Sequence, residues 1–227
     1  MAAPSDLAMD NLTGVWEMDK GLSDDIGPVL ELQGLSWFLR TAIAFATATM
    51  KISEYTDVDP TTSKSVVRID IAQILTGGLA GTTEKRILSW TDREHKDYIF
   101  GHVVGRGRLF RGSKDEDGRV RPAVDMQTKH DDPKIKKFLR GEIHSDGSPA
   151  EGFLVEEPKS DMFGEGEGLW LQSFARNVDS GWTAEQIWGF EMVNGKRFYT
   201  RRIAVTSANG KYVLARMVVS FLRHKEE

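Results

Sequence analysis

Between residues 183 and 222, apolar and polar side chains alternate in three runs joined by Asn194-Gly195 and Asn209-Gly210. Alternation with period two marks a strand with one buried face. Asn-Gly between two such runs signals a two-residue type I′ hairpin, whose loop residues both need φ > 0. The pattern predicts an antiparallel meander with strands over 183–193, 196–206 and 211–222. Residues 168–177 read as another strand. So do 65–75, 82–90 and 97–110, with Gly77-Gly78 and the charged stretch 92–97 as connections. Short strands at near-regular spacing indicate an all-β barrel or sandwich.

One segment departs from this pattern. Ser23-Asp24-Asp25 offers a helix N-cap with acids at the positive end of the dipole. Gly34 then breaks the run, and Ser36 caps a second helix from Trp37 to about Thr47. Two short helices therefore follow the first strand. Residues 111–167 read as an elaborated loop region, rich in charge, glycine and proline, with a short basic helix over 133–140. The chain divides into an N-terminal extension (1–10), one barrel domain (11–222) and a polar tail (223–227).

Hairpin loops fix register, and register fixes which side chains share a face. A two-residue loop at 194–195 sets Met192 opposite Arg197, Phe190 opposite Tyr199, Trp188 opposite Arg201 and Gln186 opposite Ile203. The same loop type at 209–210 sets Val205 opposite Leu214, Ile203 opposite Arg216 and Arg201 opposite Val218. The inner face then carries Gln186, Trp188, Phe190, Met192, Tyr199, Arg201, Ile203, Val205, Leu214, Arg216 and Val218. Glu185, Glu191, Lys196, Thr200 and Arg202 fall on the other face, read as the solvent side. Arginines on an inner face each need a carboxylate, a bound anion or water, because an unpaired buried ion is costly. They can also pair with acids near the barrel ends or snorkel to solvent. Apolar and aromatic walls with a few directed polar groups are the make-up of a ligand pocket.

Composition removes several alternatives. Of 227 residues, 40% are hydrophobic and 28% charged, with a net charge of −4, which favours neither nucleic acid nor an anionic membrane as partner. The absence of cysteine excludes disulfides, thiolate nucleophiles and Cys-type metal sites, and fits a reducing compartment. The opening residues carry no signal-peptide pattern, and the apolar-rich stretch 35–50 is too short to span a bilayer, so a cytoplasmic location is expected. The five histidines show no metal-ligand spacing, and no Gly-x-Ser-x-Gly elbow is present. Gly101, Gly105 and Gly107 share one strand face, which leaves room for a bulky ligand or marks a bend.

The opening run Asn11-Leu-Thr-Gly14-Val-Trp16 resembles the Gly-x-Trp first strand of the calycin superfamily. Its sequel, Ser23-Asp-Asp-Ile, Leu32 to Arg40 and Ala44 to Ser53, is similar to fatty-acid-binding proteins, whose helix-turn-helix lid follows the first strand. The fold this implies is all-β: an antiparallel calycin-type β-barrel with a short lid, Trp16 at its floor and Trp37 and Phe38 at the portal. In that family a last-strand arginine holds a ligand carboxylate. Its Arg-x-Tyr reads Arg216-Met217-Val218 here, which leaves Tyr199 to supply the hydroxyl. More narrowly, the runs Leu75 to Glu84 and Gly181 to Gly189 resemble small calycin-like pericyclases of filamentous fungi, hetero-Diels–Alderases among them.

That resemblance implies a cofactor-independent Diels–Alder or hetero-Diels–Alder cyclase acting on an apolar polyketide or terpenoid inside the barrel. Arg201, Tyr199 and Arg216 would be its catalytic groups, with Trp188 as aromatic wall and no metal. The rival is a non-catalytic carrier of a fatty acid or small lipid. One further expectation concerns assembly. In the assumed register Val213, Ala215, Met217, Val219 and Phe221 point outward, an apolar stripe that a homodimer would cover.

Overall fold

The computed structural model describes residues 1–77 and 81–225. The middle of the Leu75–Glu84 run and the end of the polar tail lie outside the described residues. Among those described, the antiparallel sheet runs in the order β4 (Thr83–Ile87), β3 (Ser65–Leu75), β2 (Ala48–Val58), β1 (Gly14–Met18), β11 (Tyr212–Arg223), β10 (Lys196–Thr206), β9 (Thr183–Val193), β8 (Glu167–Asn177), β6 (Gly101–Lys114), β5 (Arg93–Asp97). A short β7 (Val120–Pro122) pairs with β6. The sheet curls until the segment after β4 meets β6: Ser89 bridges Arg108, and Trp90 N–H donates to the Gly107 carbonyl at 2.9 Å. The result is the all-β calycin-type barrel expected. No described helix is long and apolar enough to cross a membrane.

Two short helices follow β1: α1 (Gly27–Leu32) and α2 (Trp37–Phe45). Ser36 caps α2 as its sequence requires, accepting from Leu39 N–H. Asp25 accepts from the N–H of Gly27, the first residue of α1, at 2.8 Å, but Ser23 and Asp24 do not cap the helix. Their side chains accept instead from the Val218 and Arg216 N–H groups, at 2.8 and 2.7 Å, serving a part of β11 that β1 is too short to pair. The stretch expected as a charged connection, 92–97, contains strand β5, and Gly101, at φ 70°, opens β6.

The first C-terminal hairpin has the predicted register. Met192 pairs with Arg197, Phe190 with Tyr199, Trp188 with Arg201 and Gln186 with Ile203. Asn194 and Gly195 take φ of 49° and 71°, as a type I′ loop demands. The second hairpin differs. Ser207 N–H donates to the Lys211 carbonyl at 2.8 Å, and of Asn209 and Gly210 only Gly210 has positive φ, at 82°. The loop is one residue longer than two, so Arg201 pairs with Met217, Ile203 with Ala215 and Val205 with Val213. A one-residue slip reverses every side chain. Leu214, Arg216 and Val218 therefore lie on the outer face, and Val213, Ala215, Met217, Val219 and Phe221 on the inner. The apolar stripe expected to demand a homodimer is barrel interior.

The outer face of β9 and β10 is not a solvent face either. Segment 111–167 lies over it, and Phe138 and Leu139 of α3 (Pro133–Leu139) are fully buried against Ile187, Ala204 and Trp170. Beneath this cover Glu185, Glu191, Thr200 and Arg202 have almost no exposure. Arg202 reaches both Glu191 carboxylate oxygens, at 2.8 and 3.0 Å, and the carbonyls of Phe138 and Ile143. Glu185 accepts from the N–H groups of Gln127 and Thr128 and from the Gln172 amide. A charged set reads as solvent-facing only while no partner is in view; here Glu185, Glu191 and Arg202 each have one, and of the set only Lys196 is exposed.

The other end of the barrel is plugged. Trp16, Phe190, Tyr199 and Phe221 pack with Leu7, Met9 and Leu12 from the N-terminal segment. Trp16 is fully buried and donates to the Leu12 carbonyl, so it sits at the floor as expected. Ala3, Leu7 and Met9 of residues 1–10 thus belong to the core. Arg197 ties them down, donating to the Pro4 and Leu7 carbonyls and to Glu156.

Candidate functional site

Between the floor cluster and the lid lies a cavity of about 670 Å3, within the range of small-molecule sites. Its walls are mostly apolar: Val29 and Leu30 of α1, Ile43 of α2, then Val103, Trp182, Ile203 and Met217 from the sheet. Of the three glycines on this face of β6, Gly105 and Gly107 line the space and Gly101 does not.

One polar group of side chains stands next to the floor cluster. Glu84 and Arg86 alternate inward on β4, and Arg86 grips the Glu84 carboxylate through Nε at 2.8 Å and a terminal nitrogen at 2.6 Å. Arg201 comes from β10 on the opposite side of the barrel. Both guanidiniums lie over the Trp188 ring, their carbons 5.3 Å (Arg86) and 4.8 Å (Arg201) from its centre. Such placement favours a cation by the ring quadrupole. Trp188 is therefore a platform below the arginines and does not itself line the cavity.

The charges are set by burial and by each other. The Arg86 guanidinium, with Arg201 and His95, holds the Glu84 carboxyl below the usual carboxylate range despite desolvation. Desolvation, with Arg86 adding, pushes Arg201 down to about 10, so it stays protonated at neutral pH. Burial pushes the Tyr199 phenol well above its ordinary value, so it stays a neutral hydroxyl. Glu84 and Arg86 cancel. Arg201 leaves one net positive charge on this wall, and its Nε–H has no partner. Gln186 Oε1 and Trp182 Nε1 are likewise buried without partners. Buried polar atoms are nearly always satisfied, so these three, with the Nε atoms of Arg93 and Arg106 on the same lining, are exceptions that mark where a ligand's polar atoms belong.

Of the residues singled out from sequence, Arg201, Gln186 and Ile203 line the cavity. Tyr199, Trp188 and Phe190 sit one layer deeper, in the floor cluster. Met192 is 38% exposed near the far end of β9. Arg216 is outside the barrel, where it meets Glu191 at 3.4 Å. Leu214 and Val218 are outside too, packed in outer-face clusters with α3 and with Leu22 respectively. Trp37 and Phe38 are 71% and 78% exposed; only the later part of α2, Arg40, Ile43 and Ala44, reaches the cavity. Sequence reasoning missed Glu84, Arg86, His95, Trp182 and Met217. The signal for Glu84 and Arg86 was their shared parity with Leu88, but Lys85 between them made both faces of that strand look polar.

No known protein-family profile matches the chain. It is 24% identical over 222 residues to a pericyclase of an Acremonium species, pydY, covering 98% of this chain and 97% of that protein. It is also 24% identical over 204 residues to a probable pericyclase of Mollisia scopiformis, scpY, covering 90% of this chain and 86% of the other. Among solved structures, an extracellular fatty acid binding protein, As-p18, aligns over 95% of this chain and 99% of its own, at 12% identity and a TM-score of 0.45. The chain is thus similar, nearly end to end, to two proteins named as a pericyclase and a probable pericyclase.

Proposed function

We propose that this chain is a cofactor-independent pericyclase that closes a ring by Diels–Alder or hetero-Diels–Alder cycloaddition on an apolar polyketide or terpenoid intermediate, in the cytoplasm, as a step of natural-product biosynthesis. The observation that carries the reading is the desolvated Arg201 guanidinium, its Nε–H unpartnered, on the wall of a mostly apolar cavity. The near-full-length likeness to two proteins named as pericyclases supports it.

A cycloaddition forms two σ bonds from π electrons already in the substrate, so it asks for no nucleophile, proton acceptor or redox partner. It does ask for confinement. Orienting two reacting parts supplies roughly 7–11 kcal/mol in favourable cases. Electron density also builds on a carbonyl that activates the dienophile. An Arg201 N–H aimed at that oxygen stabilises the transition state more than the ground state. The Trp188 ring holds the guanidinium from below, so it does not need to reorganise. The lid keeps bulk water from competing for the same N–H.

The second reading is a carrier of a fatty acid or small lipid. It is favoured by the apolar cavity under a helical lid, and by a net positive wall that suits a carboxylate. One experiment separates the two. A linear polyene bearing an α,β-unsaturated carbonyl is incubated with the purified protein, and the rate and diastereomer ratio of ring closure are compared with buffer. A pericyclase accelerates closure and narrows the product to one isomer. Binding of the probe with unchanged rate and ratio would leave the carrier.

A further inference from the structure

Two adjacent rows across the cavity wall are built almost without side chains. Gly105 on β6 pairs with Ala175 on β8, which pairs with Ala184 on β9. One step toward the floor, Gly107 pairs with Ser173, and Ser173 with Gln186. All six line the cavity. Glycine inside a strand weakens it and packs nothing, so its presence calls for a reason. Gly107 has one in the fold: a Cβ there would come 3.1 Å from Leu88, where the segment after β4 closes onto β6. Gly105 has none of that kind. Its φ is not positive, and a Cβ would meet only ordinary contacts, 3.4 Å to the Phe174 carbonyl and 3.9 Å to Ala175. What a larger side chain would occupy is the cavity.

The edge of this shelf is not inert. Gln186 is 6% exposed, it ends the second row, and its Oε1 has no hydrogen-bond partner. An unpartnered acceptor asks for a donor. We propose that the flat shelf formed by Gly105, Gly107, Ser173, Ala175 and Ala184 seats a planar ring of the substrate, and that Gln186 accepts a hydrogen bond from an N–H or O–H on that ring. The shelf and Arg201 are distinct: Arg201 pairs with Trp188, one row below Gln186. The substrate class that fits is therefore a ring carrying an N–H or O–H donor, joined to an apolar chain with a carbonyl within reach of Arg201. This deepens the reading of the cavity as the substrate site and rests on it.

Binding can be measured without turnover, by calorimetric titration of the intact protein with 2-naphthol, 2-methoxynaphthalene and 1-dodecanol. The first two share a ring and differ in the donor; the third has no ring. Wild type binds 2-naphthol about tenfold more tightly than its methyl ether, the worth of one buried hydrogen bond. Gln186→Leu removes that preference. Gly105→Val, and Ala175→Val as a second variant with the same aim, weaken both ring probes at least about tenfold while 1-dodecanol binding stays within about threefold. Near-ultraviolet dichroism identifies any variant that does not fold, and Gly105→Ala gives a smaller change in the same direction. Ring binding that survives both valine substitutions in folded protein overturns the shelf. A preference for 2-naphthol that survives Gln186→Leu overturns the donor assignment. If both arms behave as expected but no polyene is cyclised, the shelf stands and the pericyclase reading falls.

Discussion

Arg201 and Trp188 face each other across β9 and β10, with the guanidinium carbon 4.8 Å from the centre of the indole ring. The ring holds the cation in place and leaves Nε–H of Arg201 unpartnered. Arg201→Met keeps an apolar chain of similar length and removes the donor. Loss of one preorganised donor lowers turnover by about 10²–10³ in comparable oxyanion sites. Cycloaddition by Arg201→Met should fall by at least tenfold, with apolar ligand binding within about threefold of wild type. Arg201→Lys should restore less than half of the loss, because an ammonium lacks the planar fork that stacks on Trp188. Steady-state kinetics with the polyene probe decides it.

The outer-face network is a separate matter. Burial alone would raise the Glu191 carboxyl, but the Arg202 and Arg216 guanidiniums and the Thr200 hydroxyl outweigh it and hold it below the usual range. Glu191→Ala strands Arg202 beneath α3, and breaking a buried pair this way costs about 3–5 kcal/mol. Denaturant unfolding should show that loss, while turnover per folded molecule changes little, since the network lies outside the barrel. The sign in pH follows from the depressed carboxyl. Its stabilising share is present above the ordinary carboxylate value and is lost as pH falls through the lower folded value.

How far the sequence reached is clearest in the two hairpins. Asn194-Gly195 and Asn209-Gly210 look alike, and the same loop type was expected at both. At the first, Asn194 adopts the positive φ that a two-residue loop needs, and the register of β9 and β10 follows correctly. At the second, Asn209 does not, because Ser207 and Lys211 close a wider loop. Local turn chemistry favours both forms, and only packing of Ala215 and Met217 into the barrel selects one. Arg216 was misplaced with its strand. The parity of β9 and β10 found Arg201, Gln186 and Ile203, and the lid helices were legible from Ser36 and Gly34. Arg86 and Glu84 were not, since their pairing is made inside the barrel and nothing local distinguishes an inward ion pair from an outward one. The cover over Glu191 and Arg202 was hidden for the same reason: its contacts join residues about 60 apart, as between Arg202 and Ile143.

At the plugged end, Glu54 accepts from Leu12 N–H at 2.8 Å, and its other carboxyl oxygen is buried without a partner. Desolvation, with nearby Asp10 adding, pushes its pKa up to about 8. The folded value is above the unfolded one. The stability it contributes is therefore fully present at low pH and is lost as pH rises from the ordinary carboxylate range through about 8. Thermal melting between pH 5 and 9 should show a decline that Glu54→Gln flattens. A wild-type curve already flat over that window would mean Glu54 ionises freely and is not buried by the N-terminal segment.

Met217 tests the register of the last strand and with it the assembly. It pairs with Arg201, lines the cavity and is 7% exposed. In the register first expected it stood outside, in a stripe that a second subunit would cover. Met217→Glu gives opposite outcomes in the two arrangements. From the inner face, the new carboxylate stands beside the Arg201 guanidinium and competes with any substrate carbonyl for its free N–H. Turnover should drop at least tenfold, as for removal of the donor itself. The pair forms inside a low-dielectric cavity, so stability should fall by about 1–3 kcal/mol, the desolvation that partial pairing does not recover. The sedimentation coefficient should stay that of wild type. From an outer face the same change would leave ligand binding and turnover intact and dissociate any dimer that covers the stripe. Measuring sedimentation and cycloaddition on one preparation of Met217→Glu therefore separates the two strand registers, whatever the oligomeric state of the wild-type protein.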